Sequence, residues 1–291
     1  VFHAVAEAGS FTHARDTLNL SQSAVSRQIS ALEEALAVPL FHRHARGLIL
    51  TEQGEALNRT VREVFAKLAM TEALLAESKE KPAGRLKVTT THSFGVTWLA
   101  PRLKTFLAAH PDVTVSLLLD DTDLDLAMRE ADVAIRMHPP RQPDLVQRHL
   151  GEIRSQIWAS PDYLKANGTP ESVDDLDKHK LILFGDRKPP VPDVNWLGEL
   201  GRKDGTARRG VLEVNSLQAM LACIRAGIGI GAVPDYLVGD SSGLVPLLAD
   251  VKKPPVDMYF VYPEELRNSK RVAVFRDFLV NSIAERNGVK G

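Results

Sequence analysis

A single cysteine, Cys223, in 291 residues excludes an internal disulfide framework and fits a reducing cytosol. No secretory leader and no run of about 18 apolar residues is seen, which argues against export and membrane spanning. Excess basic charge is missing too, since the net charge is −1. Residues 1–50 balance, with Arg15, Arg27, Arg43 and Arg46 against Glu7, Asp16, Glu33 and Glu34. Any attraction to nucleic acid must come from where charge is placed, not from its sum. Catalytic patterns are equally scarce: there is no P-loop, GxSxG or Cys–His pairing. Nine histidines show no HExxH or other ligand spacing. Gly227-Ile228-Gly229-Ile230-Gly231 is not GxGxxG and leads into a strand interior, so a dinucleotide fingerprint is rejected. Asp120, Asp121, Asp123 and Asp125 lack the glycine and closing glutamate of an EF-hand loop and read as acids at a helix N-terminus. No enzyme activity, cofactor or metal is expected.

What is present is concentrated in residues 10–47. Two short helical patterns flank a break at Asn19-Leu20-Ser21. The first, roughly Thr12–Leu18, has Ser10 and Thr12 as candidate caps. In the second, Val25, Ile29, Leu32 and Leu36 recur at the spacing of one buried helix face. Gln22, Ser23, Ser26, Arg27 and Ser30 fall on a different face, whose amide, hydroxyl and guanidinium groups suit base edges and phosphates. Ser21 is placed to cap this helix. Glu33 and Glu34 lie about 10 Å further along the axis, so DNA must meet the N-terminal half. Leu40-Phe41 and Leu48-Ile49-Leu50 flank a basic tip with Arg43 and Arg46, the pattern of a wing. Together these predict a helix-turn-helix with its recognition helix at about Gln22–Leu36.

The same residues carry a resemblance. Ala-Glu-x-Gly-Ser-Phe-Thr, Ser-Gln-x-Ala-Val-Ser-Arg-Gln-Ile and Leu-Phe-x-Arg are similar to the signature segments of the LysR-type transcriptional regulators, and the match continues along the chain. Position 23, often proline in that family, is serine here. The chain opens inside the first helix without a methionine, so the resemblance implies a preceding segment on the order of ten residues.

Beyond residue 50, Thr51 is a good cap for a long helix running to about Ser78. Leu50, Gly54, Leu57, Val61, Val64, Leu68, Thr71 and Leu75 form a heptad seam. The stripe needs a partner, either its own domain or a second copy; the resemblance implies a second copy. Residues 77–84 are polar and end in Pro82-Ala83-Gly84, suiting a hinge. Alternating strands and helices then predict a parallel α/β sheet, including a helix over Phe94–Ala109 kinked at Pro101 and a short helix at Leu124–Glu130. The resemblance implies a periplasmic-binding-protein-like effector domain, with Ile153–Ser160 and Val256–Tyr262 as strands crossing between two lobes. The expected fold is thus α/β: a winged helix-turn-helix domain at 1–50, a linker and dimerisation helix at 51–84, and an effector domain at 85–291. Lobe one would be 85–157 plus 260–291, and lobe two 158–259.

Thr91 and Ser93 follow a strand and open a helix, where free N–H groups favour an anion. Thr122, Asn215 and Ser216 occupy equivalent strand ends, and Arg136 is placed to neutralise a carboxylate. Helix capping alone is the competing explanation for these hydroxyls. The resemblance implies a cytoplasmic regulator that binds promoter DNA as a dimer or tetramer, with RNA polymerase and a small-molecule effector as partners. DNA contacts would come from Ser10, Thr12, Gln22, Ser23, Ser26, Arg27, Arg43 and Arg46, and dimer contacts from Leu57, Val61, Val64, Leu68 and Leu75. Two alternatives stay open. One is the same fold responding to oxidants through Cys223, which sits in an apolar helix and reads first as a buried small hydrophobe. The other is a cytosolic solute-binding α/β protein without regulatory DNA binding.

Overall fold

The structure is a computed structural model that describes residues 1–44, 47–76, 81–140, 144–185, 191–202, 206–239, 243–251, 253 and 255–286. The chain forms two compact units, Val1–Ala76 and Glu77–Gly291. Among the described residues no helix is long and apolar enough to cross a membrane.

The first unit contains α1 (Phe2–Ala8), α2 (Phe11–Leu18), α3 (Gln22–Leu36), a hairpin of β1 (Phe41–His44) and β2 (Gly47–Leu50), and α4 (Glu52–Ala76). Of the candidate caps, Ser10 and Ser21 form, whereas Thr12 lies inside α2, which starts at Phe11. The Ser10 hydroxyl accepts from the Thr12 N–H and the Ser21 hydroxyl from the Ala24 N–H, each at 3.2 Å, supplying partners for otherwise orphaned first-turn donors. Asn19 closes α2 in the left-handed region at φ 52°, a conformation asparagine tolerates well. Phe2, Val5, Ala14, Val25, Ile29, Leu40 and Phe41 make the core. Leu36 departs from the expected buried stripe and is 46% exposed. The chain reverses at Ala37, and Leu40 and Phe41 enter the core instead.

Thr51 joins the helix to the hairpin: its Oγ1 accepts from the Gly54 N–H at 3.0 Å and donates to the Pro39 carbonyl at 2.7 Å. Gly54 is needed because a Cβ there would overlap the Leu40 carbonyl oxygen. Leu57 and Val61 then pack against the domain's own core. Further along α4, Val64, Phe65 and Leu68 are each more than half exposed. The heptad seam is therefore shared, its first half closing the domain and its second half facing solvent. The end of the long helix expected near Ser78 lies outside the described residues, as does the side chain of Leu75.

The second unit begins with β3 (Gly84–Thr90), α5 (His92–Phe94), a π-helical turn at Gly95–Leu99, α6 (Ala100–Ala109), β4 (Val113–Leu119), β5 (Val133–Arg136) and β6 (Leu145–Ile153). It continues with β7 (Ser155–Ala159), α7 (Pro161–Asn167), β8 (Ile182–Phe184), α8 (Trp196–Glu199), β9 (Leu212–Val214) and α9 (Leu217–Arg225). β10 (Gly231–Pro234), α10 (Asp235–Val238), β11 (Val245–Leu247), β12 (Val256–Pro263) and α11 (Lys270–Arg286) complete it. One sheet has the order β4-β3-β5-β12-β6, with β3 parallel to β4 and β5, and β12 antiparallel to β5 and β6. A second has the order β10-β7-β11, all antiparallel, while β8 and β9 pair in parallel. The chain passes from the first sheet to the second at Arg154 and returns before Val256. The core of the first sheet includes Phe106 of α6 edge-on to Phe275 of α11 at 5.1 Å. Around the second, Ile157, Leu181, Leu183, Ile230 and Leu247 are buried together.

Four points differ from expectation. The main sheet is mixed rather than parallel, because β12 and β6 join it as antiparallel strands. Its edge strand β6 was not expected, since only Ile153–Ser160 was read as a strand in that region. Its burial runs half-buried and exposed for most of its length, so apolar alternation is weak. Residues 124–130 form turns rather than a helix. Asp125 accepts the Ala127 and Met128 N–H groups at 2.9 and 3.1 Å, and Arg129 takes φ 60°. The kink expected at Pro101 is expressed as the π-helical turn before it. Proline has no N–H to continue the ladder, and the Ala100 N–H bonds to the Gly95 carbonyl.

Candidate functional site

Two sites emerge, one in each unit. In the first, Gln22, Ser23, Arg27 and Ser30 are exposed along α3 and Ser26 is half-buried, while Val25 and Ile29 hold the opposite face in the core. Arg27 forms no ion pair among the described residues. Thr12 is exposed beside the Ser10 cap at the start of α2. On the hairpin, Arg43 pairs with Leu48 in register, and its guanidinium lies 5.3 Å from the Phe11 ring centroid. It also donates to Ser30 Oγ at 3.5 Å. This cation–π contact fixes a positive charge beside the polar face of α3. Arg46 lies outside the described residues.

Two supporting residues escaped the sequence reading. Phe11 packs on the domain core and also carries the Arg43 guanidinium over its ring. Glu33 was treated as a carboxylate remote from DNA. Its Oε1 in fact accepts the Leu40 and Phe41 N–H groups at 2.7 and 3.2 Å, so it turns toward the wing's first residues. Opposite-sign charge is thereby withdrawn from the exposed face.

The second site is a cavity of about 260 Å³ at the C-terminal ends of β3, β4 and β5, closed on one side by Val191 and Pro192. Strand C-terminal ends are where open α/β sheets hold ligands. Thr91, Thr122 and Arg136 line it, as the strand-end argument expected. Ser93 is buried and is not among the lining residues. Asn215 and Ser216 are not in its walls either. Asn215 is exposed, and Ser216 caps α9 by accepting the Ala219 N–H at 3.4 Å. The first turn of α9 nevertheless reaches the π-helical turn, where Gln218 Nε2 donates to Thr97 Oγ1 at 3.4 Å.

The acids read as dipole partners of a helix do other work, because no helix forms there. Asp120 accepts both the N–H and the hydroxyl of Thr122 at 2.8 Å, which holds its carboxyl below the usual range. Asp121 accepts the His92 N–H at 2.9 Å and so caps α5. Asp123 sits between Arg136 Nε at 3.4 Å and His138 Nε2 at 3.1 Å. Arg136, 7% exposed, also donates to the Leu124 carbonyl at 2.8 Å. The Asp123 hydrogen bond raises the His138 pKa against the opposing effect of burial, and the Pro139 carbonyl at 3.0 Å adds to the rise. His138 was not singled out from sequence, since one histidine after a strand carries no spacing signal. Among the described residues no group of three or more His, Cys, Asp or Glu is placed to hold a metal. Cys223 is half-buried in α9 rather than fully inside the core.

Known proteins share this succession of domains. Residues 1–55 match the model described as bacterial regulatory helix-turn-helix protein, lysR family, and residues 79–284 match the LysR substrate binding domain. A helix-turn-helix transcriptional regulator of Xanthomonas campestris is 31% identical, the alignment covering 97% of this chain and 84% of that protein. The regulator CrgA of Neisseria meningitidis has a solved structure that superposes with a TM-score of 0.64 at 30% identity, covering 97% of this chain and 96% of the other. The full-length Vibrio cholerae virulence activator AphB superposes at 0.66 with 27% identity, covering 96% of each chain. These relatives are named as transcriptional regulators and not as enzymes. This chain belongs to the LysR family of transcriptional regulators, with a helix-turn-helix DNA-binding domain followed by an effector-binding domain.

Proposed function

We propose that the chain binds double-stranded promoter DNA as a homodimer or homotetramer and changes transcription when a small molecule fills the cavity. The observation that carries the DNA reading is the first half of α3. Gln22, Ser23 and Arg27 are exposed there with no acid beside them, and Glu33 is committed to the wing. Gln22, Ser23, Ser26 and Arg27 meet base edges and phosphates in the major groove, Ser10 and Thr12 bracket the backbone from α2, and Arg43 and Arg46 contact it from the wing.

The exposed stripe of α4 supports pairing of two copies, since Val64 and Leu68 are each more than half exposed. Leu75 follows in the same heptad spacing of the sequence, and Leu57 and Val61 pack on the domain core. Two-fold pairing then sets half-sites about one helical turn apart or a multiple of it. Contact with RNA polymerase and a cytoplasmic location follow from this role.

In the second unit Thr91 and Thr122 are the proposed effector contacts, because they line the cavity, while Arg136 lines it already bonded to Asp123 and the Leu124 carbonyl. Residence between the strand ends of the first sheet and residues Val191 and Pro192 gives a ligand leverage over their relative position. The test joins a thermal-shift metabolite screen to footprinting and transcription on a duplex selected from a random pool. Thr91→Val removes one hydroxyl with little change of shape and should weaken the hit by about 0.5–1.5 kcal/mol. A hit that raises the melting temperature but leaves footprint and transcription unchanged counts against regulation through this cavity.

A further inference from the structure

Resting on the reading of this cavity as the effector site, we propose that it takes a small cation, an amine or guanidine, rather than a carboxylate. Arg136 supplies a guanidinium among the lining residues, and it is already held by Asp123 and the Leu124 carbonyl. Asp123 in turn is matched on its two oxygens by Arg136 and His138. Asp120 and Asp121 are different. Each lines the cavity, and each uses only Oδ1, leaving Oδ2 without a partner among the described residues. The α5 donor that an anion would seek, the His92 N–H, is bound to Asp121.

A neutral group independently points to a ligand. Thr89 is 4% exposed, lines the cavity, and its hydroxyl has no partner among the described residues. In register it stands beside Ala134, so it shares a sheet face with Ala134 and, two residues on, Arg136, both of which also line the cavity. With no protein partner among the described residues, this hydroxyl is open to a ligand atom in the cavity. An ammonium or guanidinium group supplies N–H donors of the kind that this oxygen and the free carboxylate oxygens accept. Leu124, Met137, Val191 and Pro192 supply apolar wall for a short methylene chain.

The test uses the full chain with matched probes: 1,4-diaminobutane and agmatine against succinate, by thermal shift and calorimetric titration. The expected result is stabilisation by at least one of the cationic probes at millimolar concentration and none by succinate. Asp120→Asn keeps an amide oxygen for the Thr122 bonds, so its unliganded melting temperature should match wild type while cation affinity falls about tenfold or more. Thr89→Val should weaken the same probe severalfold, and it preserves the test if Asp120→Asn folds poorly. Binding of succinate with both cations silent overturns the proposal, as does absence of any shift from all three. Cation binding that neither substitution alters overturns it as well, because the charge then sits elsewhere. Cation binding weakened by these substitutions but without effect on footprint or transcription upholds the ligand class and counts instead against the effector role.

Discussion

Glu33 accepts the Leu40 N–H at 2.7 Å, a bond from the last turns of α3 to the first residue before the wing. Its Oε1 also takes the Phe41 N–H. Glu33→Ala leaves both part-buried donors unsatisfied and should lower stability by about 1–3 kcal/mol. Denaturant unfolding of the wild type and variant checks this, and an unchanged midpoint contradicts the tie between helix and wing.

Arg43 stands over Phe11 and beside Ser30; in the proposed DNA complex it is assigned to phosphate rather than to bases. Arg43→Ala should weaken DNA binding nearly evenly across sequences and flatten the salt dependence by about one unit of slope. Phe11→Leu keeps the charge but loses the ring beneath it, and should reproduce part of the loss. Titration of affinity against salt separates the two. A salt slope untouched by Arg43→Ala removes the wing from the interface.

Along α4 the same heptad serves two ends, and substitutions should divide accordingly. Leu57 packs on the domain core while Leu68 is 55% exposed. Leu68→Glu should dissociate the oligomer with the domain still folded, since a charge would face its own copy. Leu57→Ala should instead destabilise the first unit, by up to about 2–5 kcal/mol were the site fully buried, and less at this half-covered position. Sedimentation and thermal unfolding together read the division; an intact oligomer in Leu68→Glu sinks the seam.

His138 has acceptors near both ring nitrogens, Asp123 Oδ2 and the Pro139 carbonyl, so the imidazolium form is the favoured one. Its pKa is raised above 6.5, chiefly by the Asp123 hydrogen bond. The folded state therefore binds this proton more tightly than the unfolded chain. The resulting stabilisation is fully present below about pH 6.5 and is lost as pH rises through the raised value. His138→Gln should remove that part of the pH dependence. Melting temperatures across this window, wild type minus variant, should converge toward alkaline pH, and a difference that grows with pH contradicts the assignment.

Much of the first unit was legible because several signals coincide there. In α3 a buried stripe, a Ser21 cap and a polar face agree, and the helix spans Gln22–Leu36 as expected. The fold of the second unit was legible from alternating apolar segments and from the resemblance. What escaped depends on tertiary contact. Edge strand β6 has little apolar alternation, so its pairing with β12 is invisible in hydropathy. The acids around Asp123 matched a helix start, but the partners of Asp123 itself, Arg136 and His138, come from beyond the turn that follows. Thr91 and Arg136 were placed in the cavity by strand-end reasoning, whereas the same reasoning applied to Ser216 found a helix cap. Local sequence marks a strand end; which ends share one cavity is set by how the two sheets pack.

DNA recognition through α3 is tested most directly by the affinity of Arg27→Ala for a selected duplex, measured beside a scrambled duplex of equal length. The guanidinium is exposed and not committed to an ion pair among the described residues, so its loss should leave the fold intact. Specific affinity should fall by about 1–3 kcal/mol, and binding to the scrambled duplex should change far less. A folded Arg27→Ala protein that holds the selected duplex as tightly as wild type contradicts the assignment of α3 as the recognition helix.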